Sequence, residues 1–262
     1  MPESGPTQNI LWRKENHLAH LTINRPARLN ALDQATWEQL SRVLDEIAAD
    51  NTIRAVIFGS SGGNFSAGAD ISEFATLAQD PERLRANNAI VQRAQEKLEE
   101  LARPTIAAVA GHCFGGGCGL ALACDFRIAA DNAVFAITPA KLGLIYSLRD
   151  TSRLVAAVGS VFAKEMLYCG RRLDATEAQQ RGLVNRVVPT ADLTNATREL
   201  ADSLAMMSQY SIRGIKQVIA HIDGYGAWDK QKIQEVFDAA FTADDCLEGT
   251  RAFLEKRKPV FN

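Results

Sequence analysis

The chain has 262 residues, 47% of them apolar and 23% charged, with a formal net charge of −2. That size and balance fit an ordinary globular protein with a sizeable core. Near-neutral charge without a long basic run argues against nucleic acid or an anionic membrane surface as the main partner, and no apolar run reaches the ~18 residues of a spanning helix.

The polar start, Met1 to Gln8, lacks the apolar stretch of a secretory leader, so a cytoplasmic protein is expected. Further on, Ala19, Leu21 and Ile23 share one face of 18–24, a period-two pattern that predicts a strand. Asp33 can cap a helix whose apolar positions are Trp37, Leu40, Leu44 and Ile47. Residues 54–59 read as a buried strand, followed by a Ser- and Gly-rich loop at 60–68. A long amphipathic helix is expected from about 82 to 101, with Val91, Ala94, Leu98 and Leu101 on one stripe and Pro104 as its stop. A strand at 105–110, a glycine turn and a helix beginning at 120–124 come next, and 125–130 and 133–136 read as strands. This β-α-β order predicts an α/β fold with mainly parallel strands. From about residue 193 helical patterns dominate, Ile233, Val236, Phe237, Ala240 and Phe241 among them. Residues 1–192 are therefore expected to form the core, and 193–262 a helical appendage packed on that core or on another subunit.

The stretch 111–119, Gly-His-Cys-Phe-Gly-Gly-Gly-Cys-Gly, carries the most chemical information. A strand, a glycine turn and a helix start leave backbone N–H groups facing outward, a setting for an anion. The anion could be a phosphate or the oxyanion that develops on a thioester. A second small-residue turn, Phe65 to Ile71, also lies between a strand and a helix. Each turn alone is equally a plain tight turn; two that converge could supply two donors. The five cysteines are scattered, and His112, Cys113 and Cys118 lack the C-x-x-C pairs of a metal site, so neither a disulfide framework nor a metal is expected. His17, His20 and His221 lie in no motif and read as surface or structural residues.

Several segments, in order over about residues 10–262, resemble the enoyl-CoA hydratase/isomerase (crotonase) superfamily. They are Asn24 to Leu32 (NRPARLNAL), Phe65 to Ile71, Ala108 to Asp125 with its Gly115-Gly116-Gly117, Gly170 to Ala178, Gly182 to Pro189 and Ala252 to Pro259. The resemblance implies a crotonase-like spiral of ββα units with a C-terminal helical region used in trimers or dimers of trimers. It implies an acyl-CoA substrate, with coenzyme A present as part of the thioester and no tightly bound cofactor. By position it implies an oxyanion hole made by the N–H groups of Ala69 and Gly116. The 67–71 turn, through Ala67, Asp70 and Ile71, would hold the adenine, and Arg28 would meet CoA phosphates. Lys256 or Lys258 could reach CoA from a neighbouring subunit, or be plain surface charge.

The chain also departs from that pattern. Family hydratases handle water and the α-carbon proton with two glutamates, one able to act as base and the other as acid. The implied positions hold Gly119 and Ala140, and the position often acidic in isomerases and hydrolases of the family holds Ser147. The expected chemistry is therefore enolate formation without the paired glutamates, by decarboxylation of a malonyl-type thioester or by an isomerase-like reaction. Residues 135–146 are similar to the methylmalonyl-CoA decarboxylase branch, Tyr146 included, although that branch has a histidine where this chain has Ala69. Two alternatives stand beside this reading: a 2-enoyl-CoA hydratase with its base relocated to Asp150, and a non-catalytic acyl-CoA-binding homologue. Tyr146 could donate to a carboxylate or carbonyl, or simply pack at a loop-to-helix junction. Asp150 could be a base, part of a helix cap near Thr151, or the partner of Arg149 or Arg153.

Overall fold

A computed structural model describes residues 8–261. The chain opens with β1 (Ile10–Glu15) and β2 (Leu18–Ile23), followed by α1 (Gln34–Ala49) and β3 (Ala55–Ser60). Next come α2 (Ile71–Leu77), α3 (Pro81–Glu100), β4 (Thr105–Val109), β5 (His112–Phe114), α4 (Gly116–Ala123), β6 (Phe126–Ala130) and β7 (Val134–Ala136). Then follow α5 (Leu148–Cys169), β8 (Arg172–Asp174), α6 (Ala175–Gln180) and β9 (Arg186–Val188), and four helices complete the described chain: α7 (Leu193–Ala205), α8 (Gln209–Ile222), α9 (Lys230–Ala240) and α10 (Asp244–Leu254).

Two sheets result, six strands in the order β1-β2-β3-β4-β6-β9 and three in the order β5-β7-β8. From β2 through β9 the large sheet is parallel. β1, β2 and β3 all enter the large sheet; from β4 onward each turn of the chain donates one strand to each sheet, β4 then β5, β6 then β7, β8 then β9, with a helix closing or joining the step. That is the expected ββα spiral.

Alternation along β3 explains how both faces of the large sheet are covered. Val56 and Phe58 pack into one core with Trp37, Leu40, Leu44 and Leu98. Ala55 and Ile57 turn the other way, joining Ile106, Ile128, Ala196 and Ala201 in a second core. Because Ala196 and Ala201 lie on α7, the first helix of the C-terminal segment roofs the sheet itself. Asp33 caps α1 as expected, its carboxylate accepting from the Thr36 N–H at 2.8 Å. α3 ends at Glu100, within one residue of the expected bound, whereas α4 begins at Gly116 rather than near 120.

Candidate active site

After β3 the segment 65–70 is laced between two neighbours. Ser66 N–H donates to the His112 carbonyl at 2.8 Å, and Phe114 N–H donates to the Ser66 carbonyl at 2.9 Å. On the other side, Leu32 N–H donates to the Gly68 carbonyl at 2.8 Å and Asp70 N–H to the Leu32 carbonyl at 3.0 Å. The two small-residue turns are thereby brought together. Gly68 has φ +91°, and a Cβ there would stand 2.8 Å from the Phe114 carbonyl oxygen and 3.5 Å from the Gly116 nitrogen. Only glycine satisfies both the dihedral and the close approach.

The same hydrogen bonds fix where two N–H groups point. In a trans peptide the C=O of one residue and the N–H of the next face opposite ways. Gly68 offers its carbonyl to Leu32, so the Ala69 N–H faces away from Leu32. Gly115 offers its carbonyl to the Gly119 N–H at 3.1 Å and to the Tyr146 hydroxyl at 3.2 Å, so the Gly116 N–H faces away from both. Neither the Ala69 nor the Gly116 N–H finds an acceptor among the described residues. Gly116 also opens α4, whose first N–H groups have no intrahelical partner and carry the positive end of the helix dipole. Ala69 is exposed and Gly116 half-buried, so both are open to a ligand.

One turn further along α4, Gly119 leaves a gap that other elements fill. A Cβ at 119 would collide with the Gln95 amide of α3, stand 2.8 Å from Asp150 Oδ1 and lie 3.3 Å from the Tyr146 hydroxyl. Asp150 is held from several sides. The Ser147 hydroxyl donates to it at 2.7 Å and Arg153 pairs with it at 3.0 Å; with the Gln95 amide assigned so that its nitrogen faces the carboxylate, as the surrounding donors and acceptors require, that nitrogen donates to both oxygens at 3.0 and 3.3 Å. Arg153 in turn bonds Glu99 at 2.6 Å, and Arg149 bonds Glu99 at 2.7 Å while lying over the Tyr225 ring. Gln95, Glu99, Asp150 and Arg153 are all buried. Burial pushes the Asp150 carboxyl up from its ordinary value, against the opposing pull of the Ser147 hydroxyl and Arg153. Two carboxylates thus balance two guanidinium groups inside the fold. Both structural readings of Asp150 hold in modified form: Ser147 is the N-cap of α5, with Asp150 three residues on, and the ion pair is with Arg153.

The remaining expected positions fall as follows. Arg28 is exposed and makes no ion pair among the described residues. Ala67 and Asp70 spend their N–H groups on the Leu29 and Leu32 carbonyls, and Asp70 also caps α2. Ile71 is exposed beside them. Lys256 follows α10 in a left-handed conformation, exposed, with no ion pair or hydrogen bond to the 67–71 turn among the described residues. Sequence reasoning missed Gln95, which reads as one more polar residue on an amphipathic helix. It also missed the purpose of the 24–32 motif. Arg25 pairs with Asp33 at 2.7 Å and Asp70 at 3.4 Å, and fully buried Asn30 donates to the Ser61 and Asn64 carbonyls, both at 2.7 Å. These residues tie the first turn to the rest of the fold. Among the described residues no group of three His, Cys, Asp or Glu could hold a metal, and no helix is long and apolar enough to cross a membrane.

Comparison with known proteins extends this picture. A family model described as enoyl-CoA hydratase/isomerase matches residues 13–262. A short-chain-enoyl-CoA hydratase of Clostridium acetobutylicum is 36% identical over 256 residues, 95% of this chain and 96% of that protein. A crotonyl-CoA hydratase of Syntrophomonas wolfei is 36% identical over 257 residues, 97% of this chain and 98% of that protein. Among solved structures, an enoyl-CoA hydratase from Bacillus anthracis superposes with a TM-score of 0.88 at 34% identity, covering 97% of this chain and 99% of that one.

Proposed function

The chain belongs to the enoyl-CoA hydratase/isomerase family, and from that membership we propose that it makes and quenches a thioester enolate with a single carboxylate, Asp150. Its substrate is an acyl-CoA, and coenzyme A enters as part of that substrate. Ala69 and Gly116 would receive the thioester oxygen on their outward N–H groups, where negative charge grows as the enolate forms. Asp150 would take the proton from the carbon next to the thioester carbonyl. Electrons flow to the oxygen, and Asp150, whose proton would exchange with solvent between the two steps, delivers a proton to the γ-carbon, which moves the double bond by one position. One base suffices for this shift, whereas the family's hydration employs two carboxylates.

The observation that carries this reading is the placement of Asp150 Oδ1, 2.8 Å from where a side chain at position 119 would begin. The carboxylate missing from α4 is matched by one arriving from α5. A raised carboxyl also suits a group that must accept a proton and release it again. Decarboxylation of a malonyl-type thioester gains less support. A substrate carboxylate would face Asp150, and the neighbouring Arg149 and Arg153 are already paired with Glu99 and Asp150. A relocated-base hydratase is the second reading, favoured by the names of the Clostridium and Syntrophomonas relatives.

A substrate panel separates these. Purified protein is offered 3-enoyl-CoA, crotonyl-CoA and methylmalonyl-CoA, with absorbance and CO₂ followed. Conversion of 3-enoyl-CoA to the conjugated isomer is the expected outcome. Faster hydration of crotonyl-CoA would favour the second reading, and CO₂ release without isomerisation would sink both. Tight acyl-CoA binding with no turnover on any of the three would mark a binding homologue.

A further inference from the structure

We propose that Tyr146 is a positioning residue for the oxyanion hole: its hydroxyl grips the Gly115 carbonyl and so aims the Gly116 N–H of the same peptide unit. This rests on the oxyanion assignment above and adds to it the part that holds one donor in place.

The Gly115–Gly116 peptide needs such a grip. Gly115 sits at φ 47° and ψ −112°, a conformation open to glycine and few other residues. A glycine-flanked peptide at the very start of a helix can rotate at little steric cost. Two hydrogen bonds oppose that rotation, both on the Gly115 carbonyl: the Gly119 N–H at 3.1 Å and the Tyr146 hydroxyl at 3.2 Å. The first belongs to the helix and turns with it. The second comes from the loop before α5 and ties the peptide to a separate element. Since the peptide is planar and trans, fixing the carbonyl fixes the N–H. The partner donor is treated alike, the Gly68 carbonyl being tied to Leu32 so that the Ala69 N–H is aimed. Burial, and after it the Asp150 charge, pushes the Tyr146 hydroxyl well above its ordinary value, so it remains a neutral donor. A hydroxyl spent on a backbone carbonyl is not available to donate to the substrate.

The test compares Tyr146→Phe with Asp150→Asn. Bound hexadienoyl-CoA reports carbonyl polarisation as a red shift of its absorbance, and turnover reports the rest. Losing one oxyanion donor outright costs about 10²–10³ in rate, so a loosened one is expected to lower kcat about ten- to a hundredfold. KM should stay within about twofold, because the interaction matters most in the transition state. Tyr146→Phe should shrink the red shift and leave the acid limb of the pH profile in place. Asp150→Asn should do the reverse. An undiminished red shift and kcat in Tyr146→Phe would overturn the positioning role, as would loss of the acid limb in that variant, which would make Tyr146 a proton carrier. Absence of any red shift in the wild-type protein would instead strike the oxyanion assignment itself. A thermal melt of each variant separates these outcomes from misfolding.

Discussion

Asp150 shows how much of a residue's meaning depends on neighbours far away in sequence. Burial holds its proton to higher pH than an ordinary carboxyl would. A base must be ionised to act, so activity should fall as pH drops through that raised value. The acid limb of kcat/KM is therefore expected above the usual carboxylate range, and Asp150→Asn should remove it while losing about 10²–10⁴ in rate. A pH–rate profile of both proteins decides this; an unchanged limb in the variant would exclude Asp150 as its source. Asp150 was readable as a candidate because it stands close to Tyr146 and Ser147 in the chain. Gln95 was not, since it lies on another helix, and although its spacing from Val91 and Leu98 sets it beside the apolar stripe, nothing local says what it meets. Only the third dimension brings it over Gly119.

At the scale of elements, α4 is built to be thin. A Cβ at Gly117 would lie 2.8 Å from the Ser66 Cβ, and one at Gly119 would strike Gln95. Alanine in a helix interior is ordinarily favoured over glycine by about 1 kcal/mol. Here the collision with Gln95 and Asp150 should reverse the sign, and Gly119→Ala is expected to cost about 1–3 kcal/mol in urea unfolding. Adding Gln95→Ala should recover part of that loss; no recovery would mean that the gap is not shaped by Gln95. The glycine run also explains why the helix start was misplaced in the sequence reading. Gly-Gly-Cys-Gly has poor helix propensity, and tertiary packing against the 65–66 segment overrides it. The strands β5, β8 and β9 escaped notice because three residues are too few to display a period of two, whereas β7, equally short, stands in an unbroken apolar run, Ala133 to Ile137. By contrast, Asp33 and the stripe of α1 were legible because capping chemistry and amphipathic spacing are local signals.

For the whole molecule, the C-terminal helices leave large apolar side chains uncovered. Phe241, Phe253 and Leu254 are 63%, 82% and 75% exposed in the single chain. We propose that this face packs against further copies, as the family's trimers imply, and that Lys256 is carried toward a neighbour's CoA. Light scattering should then find an assembly, and Phe253→Glu should weaken it; a wild-type monomer at micromolar concentration would refute this. The tail has its own acid sensitivity. Arg257, and after it the Val260 N–H, hold the Glu248 carboxyl down to about 2 from an ordinary value near 4.5. The stabilisation is thus present above about pH 4.5 and lost as pH falls toward 2, so the tail should loosen in that window. Hydrogen exchange at 255–261 would follow it, and uniform protection across the window would contradict it. The spiral itself was legible only through resemblance. No local pattern in the sequence says that β4 and β5 belong to different sheets or that α7 covers the second face of the larger one.

The central claim is that one carboxylate, Asp150, moves the α-proton of a thioester held in the Ala69–Gly116 donor pair. Deuterium uptake at the α-carbon of a 3-enoyl-CoA in D₂O, read by mass spectrometry, tests it whatever product follows. The wild-type protein should catalyse uptake, and Asp150→Asn should lose it by about 10²–10⁴. Equal uptake by the two proteins, or none by the wild type, would contradict the claim.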